Sequence, residues 1–342
     1  SPPNDWKDNM NSPIRKVVVT QKFFDEEAIA LLESKGCEVD IATLPEGKGE
    51  ADLDVDDICQ LLAGAGGWIV GHARVTREVL EALPDLAIIS RRGVGYEKVD
   101  TVAAEALGKV VTIAAGGNND SVADQVIGMM ISLGRRYREA QIAMNAGKWN
   151  ILVGTELFRK TVGIIGFGRI GRSLAQRLQG FDAEILVCTP RLASADIDSF
   201  GLKQVDFETL LERSDYISVH APLTPETRHM IDADALARMK PSAAIINTAR
   251  GGLVDDRALL AALQAGRILG AGLDVFESEA DPTMMPVTEA LIDLPNVIAA
   301  PHSGASTHEA LQRTNMIAAQ CVVDVLDGKV PSMGQCVADG RK

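Results

Sequence analysis

At 342 residues, 46% hydrophobic and 4% aromatic, the chain is too long for one ordinary core and suits two α/β lobes rich in small aliphatic side chains. A formal net charge of -13 with no basic stripe argues against nucleic acid and anionic membrane surfaces as partners. No apolar run approaches the roughly 18 residues that cross a bilayer, and Ser1-Pro2-Pro3-Asn4-Asp5-Trp6 has no apolar signal core, so a soluble cytoplasmic protein is expected. The five cysteines, Cys37, Cys59, Cys188, Cys321 and Cys336, show no C-x-x-C spacing. Neither a disulfide frame nor a metal site is expected from them.

Residues 1–13 read as a mobile polar tail. From Arg15 the pattern alternates: an apolar run at 17–19, a helix over 25–34, a strand at 39–41, a helix over 53–63 and a strand at 68–70. Thr76 is placed to cap a helix ending at Leu83, before strands at 86–89 and 110–112. Strand–helix alternation of this kind makes a parallel sheet. Asp120 to Gly147 reads as one long helix crossing between lobes, with Val122, Val126, Met129, Met130 and Leu133 on its apolar face. Six further strands follow, at 161–165, 184–187, 216–219, 243–246, 269–273 and 297–300. An amphipathic helix over 309–326 is expected to return to the first lobe.

Gly166-Phe167-Gly168-Arg169-Ile170-Gly171 is a G-x-G-x-x-G motif that follows an apolar strand directly and opens a helix. That context is what holds a dinucleotide pyrophosphate, on backbone N–H groups and the positive end of the helix dipole. About 20 residues on, an NAD-type site places an Asp or Glu for the ribose 2′-hydroxyl. This chain has Cys188-Thr189-Pro190-Arg191 there. The missing acid removes repulsion toward a 2′-phosphate, Thr189 and Arg191 can bind one, and NADP is therefore favoured over NAD. The alternative is that Arg191 is a solvated surface residue and that Asp196 or Asp198 serves an NAD ribose.

Five ordered segments carry a resemblance: Gly93-Val94-Gly95-Tyr96, His220 to Thr227, Asn247 to Asp255, Ala271 to Glu279, and Pro301 to Thr307. From about residue 60 to 330 the chain resembles the D-isomer-specific 2-hydroxyacid dehydrogenases. The resemblance implies a Rossmann cofactor domain, 113–303, inserted into a flavodoxin-like substrate domain, 1–112 with 304–342, each a doubly wound parallel-sheet lobe. It also implies a small 2-keto or 2-hydroxy acid as partner and a homodimer formed through the long helix and Trp149. His302 is implied as the proton shuttle, a task that needs a pKa near neutrality. Glu279 is implied as the carboxylate that charges and orients it, and Arg250 as the fork that holds the substrate carboxylate. In the first lobe the backbone of Val94 and Gly95, with Arg91 and His72, is implied to bind substrate, and closure of a cleft follows. The same matching gives Gly166, Gly168, Arg169, Ile170, Gly171, Thr189, Arg191, His220, Pro222, Thr227, Thr248, Arg250, Asp274 and His302 to the cofactor, with Asp274 receiving the carboxamide.

Each catalytic candidate has a plain structural reading. Arg250 can pair with Asp255 or Asp256, His302 can cap a strand, and Glu277, two residues from Glu279, is the obvious confusion. Phosphoglycerate enzymes tend to carry an Arg after the strand at 69–70, where this chain has Gly71-His72-Ala73-Arg74. Glyoxylate or hydroxypyruvate is therefore expected first and phosphoglycerate second. No Gln lies within 303–307, which disfavours the formate-oxidising branch. A dinucleotide-sensing corepressor of the same fold is the reading from a different class, and a turnover assay separates the two.

Overall fold

The structure, a computed structural model, describes residues 13–341, so all but the last residue of the expected tail lies outside the described residues. The chain divides into two compact units, residues 1–118 with 307–342 and residues 119–306.

Unit 1 begins with β1 (Lys16–Val19), α1 (Glu26–Ser34), β2 (Glu38–Ile41), α2 (Val55–Leu61), β3 (Gly67–Val70), α3 (Arg77–Ala82), β4 (Ile88–Arg91), α4 (Thr101–Ala106) and β5 (Val110–Thr112). Side-chain caps start its helices: Asp25 accepts from Ala28 N, Asp54 from Asp57 N and Thr76 from Val79 N. Val17, Val18 and Val19 are all fully buried, as a strand covered on both faces requires.

Unit 2 continues with α5 (Asn119–Gly134), α6 (Tyr137–Asn145), β6 (Thr161–Ile165), α7 (Arg169–Leu178), β7 (Glu184–Cys188), α8 (Ser194–Phe200), β8 (Lys203–Gln204) and α9 (Phe207–Arg213). It then runs through β9 (Tyr216–Val219), α10 (Ala233–Arg238), β10 (Ala244–Asn247), α11 (Asp256–Gln264), β11 (Gly270–Leu273), α12 (Met285–Asp293) and β12 (Val297–Ala299). Its seven-stranded sheet has the order β12-β11-β10-β9-β6-β7-β8, parallel throughout. The order reverses between β6 and β9, and ligands of such sheets bind beyond the carboxyl ends of the strands at that point.

The chain returns to unit 1 with α13 (His308–Leu326) and β13 (Cys336–Asp339). The unit 1 sheet has the order β13-β5-β4-β3-β1-β2, the flavodoxin-like 2-1-3-4-5 arrangement with β13 added antiparallel beside β5. Ala318, Ala319, Val322 and Val323 of α13 fill one face of this sheet against Val17, Ile69 and Ile88.

Three elements depart from the sequence reading. The long helix over 120–147 is two helices, because Arg136 takes a left-handed φ of 55°. Gly134 O accepts from Thr155 N at 2.8 Å, and a Cβ on Gly134 would lie 2.4 Å from Tyr216 Oη and 2.9 Å from Thr155 O, so the segment at 155 packs directly on the end of α5. Unit 2 has seven strands rather than six, the extra one being the two-residue edge strand β8, and β13 was not anticipated. The units part at 118/119 and 306/307. Residues 113–115 stay with unit 1 through Ile113 N and Ala115 N bonds to Gln335, while Ser121 Oγ holds Gly304 O in unit 2.

Candidate active site

Arg250, Glu279 and His302 come from three loops at the carboxyl ends of adjacent parallel strands β10, β11 and β12. Asn247 closes β10 and stiffens the first loop, its Nδ2 donating to Arg250 O at 3.0 Å and its Oδ1 accepting from Ala249 N at 3.1 Å. After β11, residues Glu277–Glu279 form a single 3-10 turn. There Glu279 Oε1 accepts from Phe276 N at 2.8 Å, which leaves Oε2 to meet His302 Nδ1 at 2.7 Å. His302 itself has a φ of 52°, a conformation that a residue with a Cβ holds only when its surroundings enforce it.

Asp274 does the enforcing. Its main-chain oxygen accepts from His302 N at 2.9 Å, and its buried carboxylate accepts from Ser303 N at 2.8 Å and Gly304 N at 2.9 Å.

The electrostatics follow from this geometry. Glu279 raises the pKa of His302 through the hydrogen bond first and its charge second, against opposition from partial burial and Arg250. Burial acts to raise the Glu279 pKa, but the bonds from His302 and Phe276 N and the charges of His302 and Arg250 outweigh it and the net shift is downward. With Nδ1 engaged by a carboxylate, Nε2 is the ring nitrogen available for proton transfer. Both side chains of the pair keep over two-fifths of their surface exposed, as a group that meets a substrate must. His220 is a poor base by comparison, because packing pushes its pKa down to about 4 and Ser218 Oγ lies 2.7 Å from its Nε2.

The cofactor motif sits between β6 and α7. Gly166 has a φ of 81°, and a Cβ there would lie 2.7 Å from His220 O, so the tight turn admits only glycine. A Cβ on Gly168 would meet nothing within 4 Å, and α7 starts at this residue without a side-chain cap. The first N–H groups of α7, at Arg169, Ile170 and Gly171, thus have the character of an anion cradle. Thr248 Oγ1 is buried and has no hydrogen-bond partner, the state expected of a donor that a ligand completes. These features fit a dinucleotide. Thr227 ties its own loop together, donating to Pro222 O at 2.6 Å.

At the end of β7, Thr189 is partly buried while Pro190 and Arg191 are exposed. Asp196 lies against α7, where Arg172 grips it with Nη2 at 2.8 Å.

In unit 1, Arg91 ends β4, Val94 and Gly95 lie in the loop that follows it, and His72 lies in the loop after β3. Arg91 Nε donates to Gly95 O at 2.7 Å and so braces the turn holding Val94. His72 exposes its side chain, but its backbone N donates at 2.6 Å to Glu50 Oε2. Glu50, buried and unanticipated, also accepts from Gly71 N at 3.0 Å and Thr20 Oγ1 at 2.5 Å.

The structure separates the two adjacent glutamates. Glu279 meets His302, whereas Glu277 turns inward to His229 Nε2 at 2.6 Å and Asp256 N at 2.9 Å. Asp255 caps α11 through Ala258 N, and Asp256 accepts from Glu277 N, so both acids of the alternative Arg250 pairing are engaged elsewhere. Spacing carried no signal for the Glu277 network, since its members lie far apart in sequence.

A family model described as the NAD binding domain of D-isomer specific 2-hydroxyacid dehydrogenases matches residues 127–304. The chain is 37% identical to a D-3-phosphoglycerate dehydrogenase of Methanocaldococcus jannaschii over 92% of its own length and 58% of that protein's. It is 40% identical to a glyoxylate reductase of Thermococcus litoralis, over 75% of this chain and 79% of the other. The apo-structure of D-lactate dehydrogenase from Escherichia coli superimposes with a TM-score of 0.80 and 29% identity, covering 94% of this chain and 99% of that one.

The chain belongs to the D-isomer-specific 2-hydroxyacid dehydrogenase family, and its residues 127–304 form the family's dinucleotide-binding domain. It spans a little over half the length of the Methanocaldococcus relative, 58%. Among the described residues no helix is long and apolar enough to cross a membrane.

Proposed function

We propose that the protein interconverts a small 2-keto acid and its D-2-hydroxy acid by hydride exchange with a nicotinamide dinucleotide. The observation that carries this is the His302 Nδ1 to Glu279 Oε2 contact of 2.7 Å, with the Arg250 charge acting on both partners. In the reducing direction the imidazolium gives its Nε2 proton to the carbonyl oxygen, and Glu279 stabilises the charged ring that makes this possible. Arg250 holds the substrate carboxylate in a geometry that an ammonium would not reproduce. The dinucleotide, when bound, supplies the hydride. Gly166 to Gly171 hold its pyrophosphate, with Thr248, Pro222, Thr227, His220 and Asp274 bordering it. Backbone N–H groups at Val94 and Gly95 bind the substrate carboxylate, with Arg91 and His72 in support.

NADP is the favoured cofactor. Thr189 and Arg191 stand at the end of β7, and the acids near them are engaged elsewhere, Asp196 by Arg172 and Asp206 by Thr209 N. An unphosphorylated acid such as glyoxylate or hydroxypyruvate is the favoured substrate, ahead of phosphoglycerate. Glu50 supports this: its charge occupies the Gly71 and His72 amides, groups that would otherwise receive an anion. A homodimer is supported by the strongly exposed apolar run Trp149, Ile151 and Val153.

The test is a panel of 2-keto acids with NADPH and with NADH, alongside sedimentation at micromolar concentration. Turnover of glyoxylate or hydroxypyruvate with NADPH is expected. Consumption of neither cofactor with any acid would refute the enzymatic reading and favour a dinucleotide sensor.

A further inference from the structure

Outside the site itself, a buried polar cluster in unit 2 centres on Glu277. One of its carboxylate oxygens receives His229 Nε2 at 2.6 Å and Arg228 Nη2 at 3.3 Å, and the other accepts from Asp256 N at 2.9 Å. The relation with Asp256 is reciprocal, because Asp256 Oδ2 accepts from Glu277 N, also at 2.9 Å. Three chain segments, 228–229, 255–256 and 276–279, therefore meet on one carboxylate.

Capping α11 does not require this arrangement, since Asp255 already performs that task. Burying a carboxylate is costly unless every lone pair is answered, and His229 sits at a left-handed φ of 53° with its ring at Glu277. His229, Asp255 and Glu277 have the spacing of a metal cluster, but the Arg228 guanidinium already supplies the positive charge a cation would bring.

What the cluster joins is more telling. Residues 250–256 carry Arg250, and the 3-10 turn carries Glu279 two residues after Glu277, with different partners for the two carboxylates. The two stretches also touch at the backbone, where a Cβ on Gly251 would lie 2.2 Å from Phe276 O. We infer that Glu277, clasped by His229 and Asp256, is a positioning residue that fixes the Glu279 turn against the Arg250 loop. A shift of the turn by an ångström would open the 2.7 Å contact with His302, and misplacement on that scale costs on the order of a hundredfold in rate.

The rate reading of this inference rests on the proposed dehydrogenase activity; the titration reading does not. The experiment uses the full chain and three variants, Glu277→Gln, His229→Leu and His229→Gln. The His302 imidazole, which faces Glu279, Asp274 and Arg250, is titrated by NMR without substrate. Glu277→Gln is expected to lower the His302 titration point toward that of a free imidazole. It should also cut kcat about ten- to hundredfold and leave dinucleotide Kd unchanged. His229→Leu should act in the same direction, and His229→Gln, which keeps a donor, should recover most of that loss. A folded Glu277→Gln protein with the wild-type His302 titration and kcat would overturn the inference. Should that variant fail to fold, unaltered readings in His229→Leu would overturn it equally. If the wild type turns over no 2-keto acid, the proposed activity fails while the titration still decides the role of Glu277.

Discussion

Replacing Asp274 with asparagine tests the anchor of the catalytic histidine with an almost isosteric change. The native carboxylate receives two N–H groups, from Ser303 at 2.8 Å and Gly304 at 2.9 Å, at a site that is 1% exposed. An amide has only one acceptor atom, so one of these N–H groups must face an NH2. Losing a hydrogen bond to a charged group costs ~1.5–3 kcal/mol, and stranding a buried N–H costs ~1–3 kcal/mol. The two overlap, giving about 2–4 kcal/mol. At ~2–4 °C per kcal/mol for a unit of this size, Tm should fall by roughly 5–15 °C. His302 then loses part of what keeps it at φ 52°, and kcat should drop on the order of ten- to hundredfold. The assays are thermal unfolding by circular dichroism, steady-state reduction of hydroxypyruvate, and calorimetric binding of the dinucleotide. A Tm within 2 °C of wild type together with an unchanged kcat would refute the anchoring argument. A variant altered only in dinucleotide affinity would make the carboxamide the chief partner of Asp274.

The catalytic set makes further commitments. His302→Ala and Arg250→Ala should each lower turnover by orders of magnitude while dinucleotide affinity stays near wild type, with full rates in both variants counting against the assignment. Reduction needs protonated His302, whose pKa Glu279 raises, so kcat/KM for the keto acid should fall as pH rises through that pKa. Glu279→Gln should move the fall to lower pH, and an unmoved profile would separate the two residues. Arg191→Ala should weaken NADPH binding far more than NADH binding, and equal affinity of the native protein for both cofactors would remove the basis for that expectation.

Much of this arrangement is legible in the sequence because local rules carry it. The strand–glycine–helix run at 161–178 declares its own turn, and a cap such as Thr76 is written one residue ahead of its helix. The break between α5 and α6 is hidden because apolar periodicity continues through Leu133, while the residues packed on Gly134, Tyr216 and Thr155, are distant in sequence. β8, two residues long, is too short to show a period, and both it and β13 are decided by pairing with a neighbouring strand. The choice between Glu277 and Glu279 turned on which side of one 3-10 turn faces His302, which no spacing encodes. Glu50 was invisible for a similar reason, its partners at Thr20, Gly71 and His72 lying on other loops.

The interruption of unit 1 by unit 2 constrains the order in which the chain can acquire structure. On a ribosome, β1 to β5 emerge before unit 2 but without α13, so the face carrying Ile69 and Ile88, shared with Ala28 and Leu32 of α1, stays partly open while all of unit 2 is translated. Unit 2 is contiguous and can complete its core beforehand, which makes the early strands the segment most in need of chaperone protection during synthesis.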